Sequence, residues 1–299
     1  MRVVERVDEL RALADAERSA GRRVALVPTM GALHAGHLSL VEVARARADR
    51  VWVSTFVNPT QFDDPADLAR YPRTPERDLR ACREAGVDLV FAPSAAELYP
   101  DAADTWVEVG ALARPLCGRT RPGHFRGVAT VVAKLLLAAR PRLAVFGEKD
   151  FQQLAVIRRM VRDLLLDVEI VGAPIVREPD GLALSSRNQN LCPESRAQAV
   201  VLCRALDRAE AEHRAGETDA GRLLAGVRQE IAKASRAEID YAELRDPVAL
   251  EPSPPRLRGP ALLALAVFFR CGAAPDAPRV RLIDNRVLRP RRERARREG

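Results

Sequence analysis

Two histidines bracket a glycine in the run Pro28-Thr29-Met30-Gly31-Ala32-Leu33-His34-Ala35-Gly36-His37, and the chain has only four histidines in all. The run stands between a strand-like segment, Arg23-Val24-Ala25-Leu26-Val27-Pro28, and a segment in which Leu38, Leu40, Val41 and Ala44 recur at helical spacing. A loop that ends a strand and opens a helix offers unpaired backbone N–H groups and the positive end of the helix dipole. Gly36 lets a ligand approach the main chain, and His34 and His37 add ring donors, so the loop suits phosphoryl oxygens.

A second cluster, Phe56-Val57-Asn58-Pro59-Thr60-Gln61-Phe62, closes the next strand-like run and is followed by Tyr71-Pro72-Arg73-Thr74. Asn58 and Gln61 are neutral amides, able to donate to and accept from the oxygens of a small polar ligand without adding charge. Further on come Arg121-Pro122-Gly123-His124-Phe125-Arg126-Gly127-Val128 and Phe146-Gly147-Glu148-Lys149-Asp150-Phe151-Gln152-Gln153-Leu154, the latter again ending a strand and opening a helix. Lysine occurs only at Lys134, Lys149 and Lys233 in this arginine-dominated chain, and Lys149 is placed where a point charge can follow phosphoryl oxygens through a change of geometry. Gln153 lies one helical turn beyond it, which predicts a shared face, and Asp150 suits a helix cap. The last cluster, Gly181-Leu182-Ala183-Leu184-Ser185-Ser186-Arg187-Asn188, sets two hydroxyls and a guanidinium in a loop that can close on phosphates.

The elements that must position these groups alternate. Strands are predicted at 23–28, 51–57, 88–92, 143–146 and 168–171, and helices from Leu38 onward and at 75–85, 128–139 and 150–166. Such alternation implies parallel pairing with right-handed crossovers and ligands at the carboxyl ends of the strands. After about Val176 the pattern changes to two helical stretches, 193–215 and 218–235, then strand-like runs at 239–244, 262–269 and 280–283. The predicted fold is therefore α/β, a Rossmann-like doubly wound parallel sheet over 1–177 with a smaller α+β C-terminal domain over 178–288. Residues 289–299 read as a basic, disordered tail, six arginines against two glutamates, which accounts for about +4 of the formal +7.

Composition narrows the function classes. At 299 residues, 47% hydrophobic and 30% charged, the chain can bury real cores. Its longest apolar run, 261–269, falls short of the roughly 20 residues that span a bilayer. Glu5, Asp8, Glu9 and Asp15 deny the N-terminus the uncharged core of a secretory signal, so a cytoplasmic protein is expected. Five scattered cysteines without a C-x-x-C pair read as reduced, buried residues. Only 4% of residues are aromatic, too few for a stacking platform, so nucleic-acid binding through the basic tail is disfavoured.

The H-x-G-H sequence at His34–His37 resembles the signature of the nucleotidyltransferase superfamily, and the remaining clusters, in their order, resemble the pantoate–β-alanine ligases within it. The resemblance runs from Arg23 to about Asn190 and returns at Arg281-Leu282-Ile283-Asp284-Asn285. It implies ATP-dependent activation of pantoate as an acyl-adenylate and its condensation with β-alanine, with Mg2+ accompanying ATP, no metal site on the protein, and a homodimer. By the same resemblance Met30, Gly31, His34, Gly36, His37, Gly147, Glu148, Lys149, Asp150, Val176, Leu184, Ser185, Ser186 and Arg187 bind ATP. Asn58, Gln61 and Gln153 hold pantoate; His37, His34, Lys149 and Arg187 carry the chemistry, with His37 the candidate proton donor. The alternative is another nucleotidyltransferase of this type with a different acceptor. A phosphate acceptor would ask for Arg or Lys where Asn58, Gln61 and Gln153 stand.

Overall fold

The structure, a computed structural model, describes residues 1–290 apart from 102, 273, 275 and 276. Most of the expected basic tail and part of the 272–278 loop thus lie outside the described residues. The chain divides into two compact units, Met1–Val176 and Arg177–Gly299.

The first unit opens with β1 (Arg2–Val4), α1 (Val7–Ser19), β2 (Val24–Thr29), α2 (Ala35–Arg45) and β3 (Arg50–Thr55). A 3-10 turn (Pro59–Gln61), α3 (Pro65–Arg70), α4 (Pro75–Glu84), β4 (Leu89–Phe91) and three short helices, α5 (Ala95–Leu98), α6 (Gly110–Ala113) and α7 (Cys117–Thr120), follow. It closes with α8 (His124–Ala139), β5 (Leu143–Gly147), a 3-10 turn (Glu148–Asp150), α9 (Phe151–Asp163) and β6 (Glu169–Ala173). The six strands form one parallel sheet in the order β1-β4-β3-β2-β5-β6. Helices cover both faces of such a sheet, which is why Val24–Val27 and Leu143–Phe146 are continuous buried apolar runs rather than alternating ones.

Periodicity in the sequence did not reveal β1 and α1. β1 is three residues long at the sheet edge, and α1 buries only Leu10 and Ala14, one turn apart, among charged neighbours. The strand read as the first of the sheet is therefore its second, and it runs along the middle.

That topology decides where a ligand can sit. From β2 the chain passes to β3 and β4 on one side and later to β5 and β6 on the other, so the order reverses between β2 and β5. Ala25 pairs with Leu143 and Leu26 with Ala144, while Thr29 pairs with Thr55 across β3. The loops that leave β3, β2 and β5 at their carboxyl ends are therefore neighbours, and they carry Asn58 and Gln61, His34 and His37, and Lys149 and Asp150 respectively.

The second unit holds α10 (Pro193–Ala199), α11 (Val201–Arg214), α12 (Ala220–Ile231) and an antiparallel sheet of β7 (Ala237–Arg245), β8 (Ala261–Arg270) and β9 (Arg279–Leu288). The stretch predicted as one helix over 193–215 is interrupted at Val200. β9 continues well past the predicted 280–283. Its alternating charged residues find partners there, Arg281 on Asp240 (2.7 Å) and Arg286 on Asp207 and Glu210 (2.6 Å each). None of the five cysteines is in a disulfide, but only Cys82 and Cys203 are buried; Cys117, Cys192 and Cys271 are partly exposed, contrary to the expectation that all are buried. Among the described residues no helix is long and apolar enough to cross a membrane.

Candidate active site

The two histidines at the head of α2 do not leave the backbone donors of that helix open. His34 is the N-cap residue; its Nδ1 accepts from the N–H of Gly36 at 3.1 Å, and the N–H of His34 itself donates to Nδ1 of His37 at 3.3 Å. The His37 N–H donates to the His34 carbonyl at 2.8 Å. The backbone cradle expected from the sequence is thus largely spent within the protein. Its donor capacity passes instead through the rings. Because each Nδ1 accepts from an N–H, each neutral ring carries its proton on Nε2, so both imidazoles present an N–H donor.

Both rings are held neutral. Burial, followed by the charge of Lys149, lowers the pKa of His34. Burial pushes His37 down to about 3, with help from His34 and Lys149 and against the opposing charge of Asp150. Lys149 therefore lies close enough to act on both rings, which fits the placement of its strand beside β2. In its neutral form His37 is a hydrogen-bond donor through Nε2.

Before the helix, the loop turns through Gly31 and Ala32, both in the left-handed region (φ 76° and 50°). For alanine that conformation costs about 1–2 kcal/mol. Met30, next in line, reaches the amide cluster: Gln61 Nε2 donates to Met30 Sδ at 3.0 Å.

Asn58 is 1% exposed, and both ends of its amide are engaged. Its Nδ2 donates to Gln61 Oε1 (3.1 Å) and to the Gly127 carbonyl (3.1 Å), and its Oδ1 accepts from the Thr60 hydroxyl (3.0 Å). What Asn58 does in this structure is hold Gln61. The close approach of α8 requires Gly127: a Cβ there would lie 2.3 Å from the Thr60 carbonyl oxygen and 2.8 Å from the Gln61 nitrogen. In the sequence the signal for this contact is a glycine inside a helical pattern.

His124, at the start of α8, has no role evident from the sequence. Its Nδ1 lies 2.9 Å from the Gln61 carbonyl oxygen, to which Arg121 Nη2 also donates at 2.9 Å. A carbonyl only accepts, so the His124 proton sits on Nδ1 and its Nε2 carries a lone pair, the reverse of His34 and His37. Burial, then the charge of Arg121, lowers its pKa to about 4, with Asp150 among the opposing charges. The charge of Asp150 thus acts on both His37 and His124.

Lys149 belongs to the 3-10 turn Glu148–Asp150, and α9 starts only at Phe151. Asp150 stands between them at φ −90°, ψ 61°, so the shared helical face expected for Lys149 and Gln153 is not that of one α-helix. Nor does the Asp150 side chain cap α9. Glu148 turns toward β6, where its Oε1 occupies the space a Cβ on Gly172 would need (3.0 Å). Gln153 is partly exposed on α9, while its neighbour Gln152 is buried. Gln152 donates to the carbonyls of Leu112 (3.0 Å) and Pro115 (2.6 Å) and accepts from Cys117 N–H (3.0 Å), tying down the segment that leads to Arg121 and His124. Sequence reasoning missed it because two adjacent glutamines differ only in which face they take. Val176 lies just past β6, partly buried.

Leu184, Ser185, Ser186 and Arg187 fall in the second unit. Ser185 caps a 3-10 turn, Ser186–Asn190, by accepting from Arg187 N–H at 3.2 Å, and the Arg187 side chain is exposed. Asn188 anchors this turn to Glu178 (2.8 Å) and the Ala183 carbonyl (3.2 Å). Beneath it Arg177 grips Asp284, 2% exposed, through two bonds of 2.6 and 2.9 Å, which explains why Asp284 belongs to the motif set.

The similarities of the whole chain agree with this geometry. The family model for pantoate-β-alanine ligase matches residues 2–287. The pantothenate synthetase of Syntrophobacter fumaroxidans is 52% identical over 290 residues, 97% of this chain and 99% of that protein. That of Solidesulfovibrio magneticus is 54% identical over 288 residues, 96% and 98%. The crystal structure of pantothenate synthetase from Thermus thermophilus matches with a TM-score of 0.89 at 46% identity, covering 97% of this chain and 100% of that one. A pantoate-β-alanine ligase from Francisella tularensis, complexed with β-γ ATP and β-alanine, matches with a TM-score of 0.75 at 32% identity, over 96% and 98%. With sequence and fold matched over nearly the full length, the chain belongs to the pantoate–β-alanine ligase family.

Proposed function

We propose that the loops leaving β3, β2 and β5 bind pantoate and MgATP and join them as pantoyl-adenylate, which β-alanine then converts to pantothenate. A pantoate carboxylate oxygen attacks the α-phosphorus, the bond to the bridging oxygen breaks, and pyrophosphate leaves with the electron pair. The β-alanine amine, having lost the ammonium proton, then attacks the acyl carbon; the nitrogen gives up a second proton as the amide forms, and AMP leaves with the electron pair of the broken C–O bond. Positioning and charge stabilisation supply the rate; no covalent enzyme intermediate is needed.

The observation that carries this reading is the pair of neutral imidazoles whose Nδ1 atoms are both committed to backbone N–H groups. They act as fixed Nε2–H donors to phosphoryl oxygens, with Lys149 supplying positive charge. Gln61, held by Asn58 and Met30, and Gln153 orient pantoate without quenching its carboxylate. Asp150, whose carboxylate makes no capping bond, is the residue that would meet Mg2+. Bound there, the ion would neutralise phosphate charge.

The resemblance also supports phosphate contacts by Ser185, Ser186 and Arg187 and an ATP contact by Leu184 in the second unit, and packing near the adenine by Val176, the last residue of the first. It further supports a homodimer, for which light scattering should read twice the 32.9 kDa chain mass, and the charged N-terminal segment supports a cytoplasmic location. The deciding experiment for the reaction is ATP–pyrophosphate exchange, which should require pantoate and proceed without β-alanine. Exchange independent of pantoate would sink the assignment.

A further inference from the structure

The run Tyr71-Pro72-Arg73-Thr74 has so far found no use, and a carboxylate just beyond it has an unusual setting. Asp78, on α4, is 3% exposed and lies behind the loop that leads to His34. Its Oδ2 accepts from Ala32 N–H at 2.9 Å, and its Oδ1 from Leu33 N–H at 2.8 Å and from the Thr74 hydroxyl at 3.1 Å. Thr74 is the N-cap residue of α4 yet makes no capping bond with its side chain; the hydroxyl is turned to Asp78 instead. Gly31 and Ala32, the two left-handed residues of the loop, sit against this carboxylate, and a Cβ on Gly31 would lie 3.0 Å from Asp78 Oδ2. A negative charge buried beside a loop meant for phosphate would oppose binding unless its lone pairs were occupied. Here three donors occupy them, and two of those donors are the amides of the turn itself.

We propose that Asp78, assisted by Thr74, is the positioning residue of the phosphate loop. It holds the 31–33 turn in the left-handed conformation that delivers His34 to the N-cap of α2 and so sets both Nε2–H donors. Asp78 itself does not touch the nucleotide. The inference rests on reading this loop as the ATP site, and its test separates the two.

Asp78→Asn keeps the shape but turns an amide NH2 toward a backbone N–H. Thr74→Val removes one of the three donors and leaves the carboxylate in place. In pantoate-dependent ATP–pyrophosphate exchange, Asp78→Asn should raise the KM for ATP at least tenfold with the pantoate KM changed less than threefold, and Thr74→Val should raise the ATP KM two- to fivefold. Should Asp78→Asn not fold, the Thr74→Val result decides alone. An unchanged ATP KM in folded variants overturns the proposal, as does a fall in kcat tracking lost folded protein with both KM values intact, which marks a merely structural role. Absence of exchange in the unmutated protein would instead refute the reading of the site. ATP titration calorimetry on the same proteins then still reads the loop: weaker binding in the variants supports the role of Asp78, and equal binding or none in any of them overturns it.

Discussion

The N–H of His34 donates to Nδ1 of His37, and the two rings stack at 4.1 Å between centroids with a 36° tilt. The pair thereby converts backbone donors at a helix start, which are fixed in direction, into ring donors that reach farther from the main chain. Replacing His37 by Ala should slow adenylate formation more than tenfold at saturating substrates, since the lost donor acts on charge that develops in the transition state. His37→Gln offers an amide NH2 near the Nε2 position and should recover part of the rate. Single-turnover kinetics with pantoate and ATP measure both, and an unchanged rate in His37→Ala would remove the residue from the mechanism.

The buried, neutral histidines make stability depend on pH in a definite direction. His37 and His124 have folded pKa values of about 3 and about 4, below the ordinary value of 6.5, so the unfolded chain binds their protons first. Their stabilising contribution is complete above pH 6.5 and shrinks as pH falls toward 4, by up to about 1.4 kcal/mol per pH unit for each ring. Denaturant melts between pH 7 and 5 should show this slope, and His37→Gln should flatten it. A slope identical in the variant would show that His37 is not buried neutral.

The amide cluster should divide substrate effects cleanly. Gln61→Ala is expected to raise the pantoate KM at least tenfold with ATP binding nearly intact. Asn58→Ala should act in the same direction through Gln61 and also destabilise the fold by about 1–3 kcal/mol, because the Gly127 carbonyl and Gln61 Oε1 lose a donor. In the double variant the effects on pantoate KM should fall short of their sum. Full additivity would argue that Asn58 acts independently of Gln61.

Gly127→Ala places a methyl group against the Thr60 carbonyl, where nothing flexible can give way. The 3-10 turn carrying Gln61 must shift, so the pantoate KM should rise and stability fall by about 1–3 kcal/mol. Gly110→Ala is a suitable control, since its nearest neighbour is a side-chain atom 3.9 Å away. Comparable losses at both positions would mean that the contact at Gly127 is not special.

In the second unit, Arg177→Met leaves the Asp284 carboxylate buried without its partner and should cost about 3–5 kcal/mol. The double variant Arg177→Met/Asp284→Leu should regain most of it. Thermal melts of the three proteins read the difference; a mild single variant would show that water satisfies Asp284.

Local signals in the sequence, an apolar run, a loop with H-x-G-H, a helical period and a lysine at a second strand end, pointed to phosphoryl chemistry, and the resemblance of the ordered clusters to a known family supplied the reaction. The sequence also sufficed for the α/β class and for most element centres. Which nitrogen of each histidine carries the proton, that Asn58 is spent on Gln61, and that Gln152 rather than Gln153 is buried were settled only in three dimensions. So was the gathering of Asn58, Arg121 and His124 around Gln61. These depend on strand order, on the depth to which α8 packs at Gly127, and on where single N–H groups point. Long-range pairing and burial decide such features, and spacing along the chain does not encode them.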